Sequence, residues 1–283
     1  MITIAGCSTG NPVAHVPAAV QPEPEPVSER VSERPGNPRG SVFIVEYHRI
    51  AKEEARWDRS VNRFKKDLER LHAMGFRPVK FGDFLTNKMN LPPGASPVIF
   101  TFDDSDPSQF RIREDGSIDP DCAIGIWKAF SEKHPDFPIR ATFYVLPPVP
   151  WGQKQHLDKK LTLLKEWDCE LGSHTMTHRS LAKLSDAEVK KELADSKRLV
   201  EGYGFACETL ALPYGIAPKN ERLIHDSGYK AALLVGANPS DPPTANRFNR
   251  LRVPRIQSIE GDFGITYWLD QVEAGKVQPY VEP

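Results

Sequence analysis

From Val42 onward, short β-branched or aromatic runs alternate with amphipathic segments of helical period, and this alternation restricts the fold more than any other feature of the chain. It is the signature of successive βα units, hence of an α/β fold around a mainly parallel sheet. About eight runs meet the strand criterion, near residues 42 to 47, 77 to 80, 97 to 102, 141 to 146, 169 to 173, 208 to 212, 230 to 235 and 252 to 256. Helices are expected around 60 to 74, where Phe64, Leu68 and Leu71 share a face, and around 185 to 202, where Leu193, Leu199 and Val200 do so. Ser60 and Ser185 are placed to cap them. Further helices are expected near 119 to 133, 156 to 167, 218 to 227 and 262 to 273.

The chemically suggestive residues follow these runs. His48 comes after the first strand, Asp103 and Asp104 after the third, His174 after the fifth, and Pro213-Tyr214-Gly215 after the sixth. In a parallel barrel the C-terminal ends of all strands open on one face, where catalytic groups gather. Residues far apart in sequence are thereby expected to converge.

Adjacent carboxylates within a strand point to opposite faces, but at a strand end the chain turns and both can reach one cavity. Of Asp103 and Asp104, one can hold a cation while the other takes a proton from water. The stretch Asp103-Asp104-Ser105-Asp106-Pro107 is also ordinary turn chemistry. His174 and His178, four apart, share one side if the segment turns helical, which suits a metal held by neutral imidazoles. A pair of hydrogen-bonded surface histidines is the plainer alternative. One carboxylate and two imidazoles leave open positions for water on a divalent ion: zinc, cobalt, nickel, manganese or iron. His48 gains weight because hydrolysis of an amide or ester needs an acid for the leaving group. His225, in a helical pattern, is read as packing or solvent, and His15, His72, His134 and His156 receive no role.

The chain of 283 residues is 39% hydrophobic, enough to bury a full core, and one catalytic domain is expected over residues 41–283. With 37 basic and 38 acidic residues the net charge is -1, which gives no field to gather nucleic acid or an anionic membrane. Cys122, Cys169 and Cys207 have no paired spacing and read as small buried residues. No run approaches the roughly 18 apolar residues of a membrane helix. Residues 1–40 differ. Ile4-Ala5-Gly6-Cys7 resembles the end of a bacterial lipoprotein signal, although only Met1, Ile2 and Thr3 precede it. The Pro-, Glu- and Ser-rich stretch after it, with a doubled Val-Ser-Glu-Arg, suits a spacer between a lipid anchor at Cys7 and an exported domain. An extracytoplasmic, cell-surface protein is expected.

Taken together, Thr101-Phe102-Asp103-Asp104 and Ser173-His174-Thr175-Met176-Thr177-His178 resemble the motifs of the polysaccharide deacetylases of carbohydrate esterase family 4, the NodB-homology group. Tyr47-His48-Arg49-Ile50, Ala141-Thr142-Phe143-Tyr144-Val145 and Leu212-Pro213-Tyr214-Gly215 extend the likeness over about residues 42 to 256. The resemblance implies a distorted (β/α) barrel of seven or eight strands. It implies one metal on Asp104, His174 and His178, zinc first among the candidates, and Asp103 as base. It further implies that the Tyr214 backbone N–H steadies the oxyanion as N-acetyl groups leave an N-acetylglucosamine polysaccharide, either peptidoglycan or an exopolysaccharide.

Two departures stand out. Ala211-Leu212-Pro213 replaces the family's Arg-x-Pro, whose arginine holds the catalytic aspartate, and no histidine follows His225, where the family has its acid. Leu251-Arg252-Val253-Pro254-Arg255-Ile256 stands in that late region. Permuted members carry the acid at the domain start in a Tyr-His context, which His48 fits. Competing expectations are an esterase acting on acetylated xylan and a carbohydrate-binding protein on a decayed deacetylase scaffold. Trp151 either stacks on a sugar ring or merely packs, and the long connection from Ser105 to Pro138 is a candidate for one wall of a groove.

Overall fold

The computed structural model describes Met1, Ile2, Val31 and residues 34–283. Cys7, His15 and the spacer up to residue 30 lie outside the described residues. Residues 34–40, which composition assigns to the spacer, belong to the fold: Arg34 donates to Ser96 Oγ at 3.0 Å, and Asn37 N–H to the Val281 carbonyl at 2.9 Å.

The strands are β1 (Phe43–Tyr47), β2 (Arg49–Ala51), β3 (Asp58–Ser60), β4 (Phe76–Pro78), β5 (Ser96–Phe102), β6 (Ala141–Val145), β7 (Glu170–Ser173), β8 (Thr209–Ala211), β9 (Ala231–Leu233) and β10 (Ile256–Gln257). The helices are α1 (Val61–Ala73), α2 (Phe81–Leu85), α3 (Ala123–Lys133), α4 (Leu157–Glu166), α5 (Asp186–Gly202), α6 (Arg222–Asp226) and α7 (Ile265–Glu273). The main sheet is parallel throughout, in the order β10-β1-β5-β6-β7-β8-β9. Strand β5 is long enough for two neighbours on one edge, with β4 against Ser96–Val98 and β6 against Phe100–Phe102.

The sheet curls into a half-barrel with helices around it. The segment leading into β10 bridges its two ends, because Val253 pairs with Leu233 of β9 while Ile256 and Gln257 pair with Val45 and Glu46 of β1. Buried on every residue, β1, β5 and β6 read as nearly continuous apolar runs, as strands covered on both faces must. Aromatic rings fill much of the inner layer: Phe102 stacks on Phe143 at 4.9 Å and on Tyr47 at 5.5 Å, and Phe100 meets Trp127 at 4.3 Å. Cys122, Cys169 and Cys207 are free and buried, as their spacing suggests. No helix among the described residues is long and apolar enough to cross a membrane.

Expected and observed elements correspond for all the main strands and helices. The differences lie in short pieces. The pair β2·β3 and the five-residue α2 are too short to show a period, and β10 falls at 256–257 instead of 252–256. Both expected caps form: the Ser60 hydroxyl accepts from Arg63 N–H, and Ser185 forms a capping box with Glu188. Because α5 packs behind the loop that carries His174 and His178, its capping box bears on the site. Ser185→Ala should lower unfolding free energy by about 1 kcal/mol, as read from urea denaturation midpoints.

Candidate metal and catalytic site

Strand register brings the expected residues to one rim. Tyr47 pairs with Phe102, Phe102 with Phe143, and Val145 with Ser173, so the residues that follow β1, β5 and β7 leave the sheet at one level. The ladder continues one step beyond the strands, with Asp103 N–H donating to the Tyr47 carbonyl at 2.9 Å and His174 N–H to Val145 at 3.2 Å.

There the chain turns sharply. Half of the non-glycine residues with positive φ among the described residues belong to these loops: Asp104 (69°), Ser105 (55°), Thr175 (68°), His178 (55°) and Tyr214 (60°). Left-handed backbone costs side-chain-bearing residues about 1–3 kcal/mol each and persists where surrounding bonds impose it. Those bonds are visible. Glu192 of α5 accepts the N–H groups of Met176 and Thr177, both at 2.9 Å, together with the Thr177 hydroxyl, and the Thr175 hydroxyl accepts His178 N–H at 3.1 Å. The segment 174–178 is therefore a pinned turn and not the helical turn expected from the four-residue spacing.

The turn points both imidazoles at one carboxylate. Asp104 Oδ1 stands 3.3 Å from His174 Nε2 and 3.5 Å from His178 Nε2. Ligands about 2.0–2.2 Å from a tetrahedral ion lie roughly 3.4 Å apart, so Asp104 stands at ligand spacing from both imidazoles, and all three donor atoms lie within 4.8 Å of one another, a set that suits a single divalent metal. His174 Nδ1 meets the Ala211 carbonyl at 2.8 Å, which puts the proton on Nδ1 and leaves the Nε2 lone pair for a metal. Tyr214, in the turn after β8, lays its ring 4.9 Å from His178.

Beneath the triad, Asp103 is buried and gripped at two points by Arg255, whose Nη1 and Nη2 donate to Oδ1 and Oδ2 at 2.8 and 2.7 Å. Arg255 is itself fully buried, and it also donates to the Leu234 carbonyl and to Thr101 Oγ1. The arginine missing before Pro213 is thus supplied from the far end of the chain, through the segment that closes the sheet. That segment passes so near β9 that a Cβ on Gly236 would lie 1.5 Å from the Arg255 carbonyl oxygen, which leaves glycine the one residue that fits. Burial pushes the Asp103 carboxyl up, but Arg255 and His174 more than offset it, so the group is held well below the usual carboxylate range.

His48 follows β1 with Nε2 4.0 Å from Asp104 Oδ2 and 3.7 Å from Glu46 Oε1. Burial lowers its pKa, with Asp103 and Asp104 opposing. Glu46 is unexpected: wholly buried, with neither oxygen hydrogen-bonded among the described residues and with Arg255 Nε 3.4 Å from Oε2. Burial pushes its carboxyl up to about 7 despite Arg255. Sequence reasoning overlooked both Glu46 and Arg255. The available signal was a charged residue inside an apolar strand run, since such a charge is buried only when something at the site pairs with it.

Burial decides the remaining candidates. Trp151 lies at 0% exposure, its Nε1 donating to Gln109 Oε1 at 3.3 Å and its ring meeting Phe143 at 5.7 Å, so it packs the core and offers no face to a sugar. The connection after β5 reaches the site through Gln109, whose side-chain amide donates to the backbone carbonyls of His48 and Asp103 and so ties those two residues together. His225 is exposed, as expected. His72, given no role, is largely buried and bonded to Asp136 at 3.0 Å on the outside of the sheet.

Removing Arg255 strands two carboxylates in the interior. Arg255→Ala should cost about 3–5 kcal/mol of stability, measured by urea denaturation, whereas Arg255→Lys, keeping the charge but losing the two-point grip, should lose less.

The polysaccharide deacetylase family model matches residues 91–232. No curated protein matches the sequence. Similar solved structures include the Streptococcus pyogenes deacetylase PplD in complex with acetate, 19% identical, with a TM-score of 0.65 over 87% of this chain and 100% of that one. A polysaccharide deacetylase from Bacillus cereus is 19% identical, with a TM-score of 0.62 over 83% of this chain and 69% of its own. IcaB from Ammonifex degensii is 18% identical, with a TM-score of 0.60 over 82% and 96%. At these identities the structures attest the fold, and the family model attests the lineage. This chain belongs to the polysaccharide deacetylase family, a family of hydrolases with the curled parallel sheet described above.

Proposed function

We propose that the protein removes N-acetyl groups from an N-acetylglucosamine-containing polysaccharide by metal-dependent hydrolysis. The observation that carries this reading is the convergence of Asp104, His174 and His178, from two strand ends, at ligand spacing. A divalent ion bound there, zinc before cobalt, nickel, manganese or iron, would polarise the acetyl carbonyl and acidify water.

The chain's own groups supply the proton traffic. Asp103, kept ionised by Arg255 and unable to rotate, takes a proton from the attacking water. His48 delivers a proton to the sugar nitrogen as the C–N bond breaks, releasing acetate and an amine. Near neutrality an imidazole of lowered pKa is a poor proton store by itself. Glu46, 3.7 Å away with its carboxyl pushed up to about 7, lets the pair hold that proton. The Tyr214 N–H, set by the left-handed turn, steadies the developing oxyanion. In this reading the Tyr-His at the domain start does the work of the absent late histidine.

Purified protein should contain about one transition metal per chain and lose acetate release in chelator. Asp104→Ala and His174→Ala should abolish both metal and activity, whereas His48→Ala should keep the metal by elemental analysis and lose at least about 100-fold in rate. Full rate in His48→Ala would overturn its assignment as acid. Glu46, with its raised pKa, is protonated below about pH 7 and loses the proton above it. The rate at saturating metal should therefore fall as pH rises through about 7, and Glu46→Gln should displace that limb in a pH–rate profile. An unmoved limb would exclude Glu46 from the proton pair.

A further inference from the structure

Far from the triad, a second pair of imidazoles meets a carboxylate: donor atoms of His72, His134 and Asp136 all lie within 4.8 Å of one another. His72 is in the last turn of α1, His134 caps the C-terminus of α3, and Asp136 follows in the connection to β6. The chain leaves α1 into β4, which pairs with the opening residues of β5, Ser96–Val98. The cluster therefore sits where the strands begin, at the rim opposite Asp104, His174 and His178. We propose that it is a second divalent-metal site, for a borderline transition-metal ion such as zinc, which clamps the C-terminal ends of α1 and α3 together. This proposal does not depend on the deacetylase reading.

The donor set and its surroundings both suit a cation. His72 Nε2 stands 3.0 Å from Asp136 Oδ1, and the His134 ring lies 4.4 Å from the His72 ring. Two imidazoles and one carboxylate are ligands for zinc, cobalt, nickel or copper, with positions left for water. The rings are held in place: Phe130 lies 4.4 Å from His134 and 5.8 Å from His72, and the His134 carbonyl accepts Phe137 N–H at 2.8 Å. Both helices end here, and the partial negative charge at a helix C-terminus favours a positive ion. A cavity of about 630 Å³ lined by these three residues gives the ion a way in, and Glu69, one turn before His72, lines it too and offers a further oxygen. Arg77 works against the ion. Its Nη2 is 2.5 Å from Asp136 Oδ2, which fixes the carboxylate with Oδ1 toward His72 but adds a positive charge nearby. The site is accordingly weaker than the triad and fills after it.

The test titrates zinc into the untagged, full-length protein and counts bound ions by calorimetry and elemental analysis. Wild-type protein should take up a second, weaker equivalent after the first. Because an ion that binds only the folded chain stabilises it, Tm should rise by about 3 °C or more as that equivalent binds. His134 is partly exposed at a helix end, so His134→Ala should fold normally, which circular dichroism checks. It should bind one zinc fewer than wild type and lose the Tm rise, whereas His225→Ala, altering an exposed histidine elsewhere, should change neither. A wild-type chain that stops at one zinc in about 1 mM free metal, or a second equivalent that His134→Ala retains, overturns the site. Acetate release is not read, so failure of the clamp leaves the deacetylase reading in place.

Discussion

A buried guanidinium holds the site and the sheet together. Arg255 closes two hydrogen bonds on Asp103, stands beside Glu46, and bonds to the Leu234 carbonyl and the Thr101 hydroxyl, so one side chain links β1, β5, β9 and the segment before β10. In a low-dielectric interior two carboxylates without a cation would be protonated or expelled. With Arg255 present, one of them stays ionised and fixed, while burial pushes the other toward neutrality. The same grip sets an ionised carboxylate and a carboxyl of raised pKa side by side in one cluster.

Around that cluster the loops are under strain. Asp104, Thr175, His178 and Tyr214 all adopt left-handed backbone that residues with a Cβ avoid, and the bonds from Glu192 and Thr175 impose it on the histidine loop. The arrangement places donor atoms at ligand distance without any regular helix, and it leaves Tyr214 exposed beside His178. Stability spent on these turns is recovered in the aromatic layer beneath, where Phe102, Phe143, Tyr47 and Phe64 pack edge and face.

Much of the architecture was readable in the chain. Phe43–Tyr47, Ser96–Phe102 and Ala141–Val145 are apolar at nearly every position, which is how strands buried on both faces must read, and Ser60 and Ser185 announce the starts of α1 and α5. The convergence of Asp104, His174 and His178 was legible for the same reason: polar residues immediately after such runs gather where the strands end, at the rim. Short elements escaped notice, since three residues of β2 or five of α2 fall short of two repeats of the strand or helix period, too few to establish a pattern. Trp151 stayed undecided between stacking and packing because a large aromatic near a loop turns inward or outward according to its neighbours, and Phe110, Phe143 and Gln109 enclose it.

The sequence by itself determined the order of strands and helices, the rim on which Asp103, Asp104, His48, His174 and Tyr214 collect, and the donor types available to a metal. These follow from local periodicity and from the parallel sense that βα units enforce. Only the tertiary structure decided which charge steadies Asp103, because Arg255 lies 152 positions away and reaches it solely through the closing segment of the sheet. It also decided that Glu46 faces the interior cluster and Trp151 the core. A side chain's partners across a barrel depend on register and curvature, and neither is encoded in any short stretch of residues.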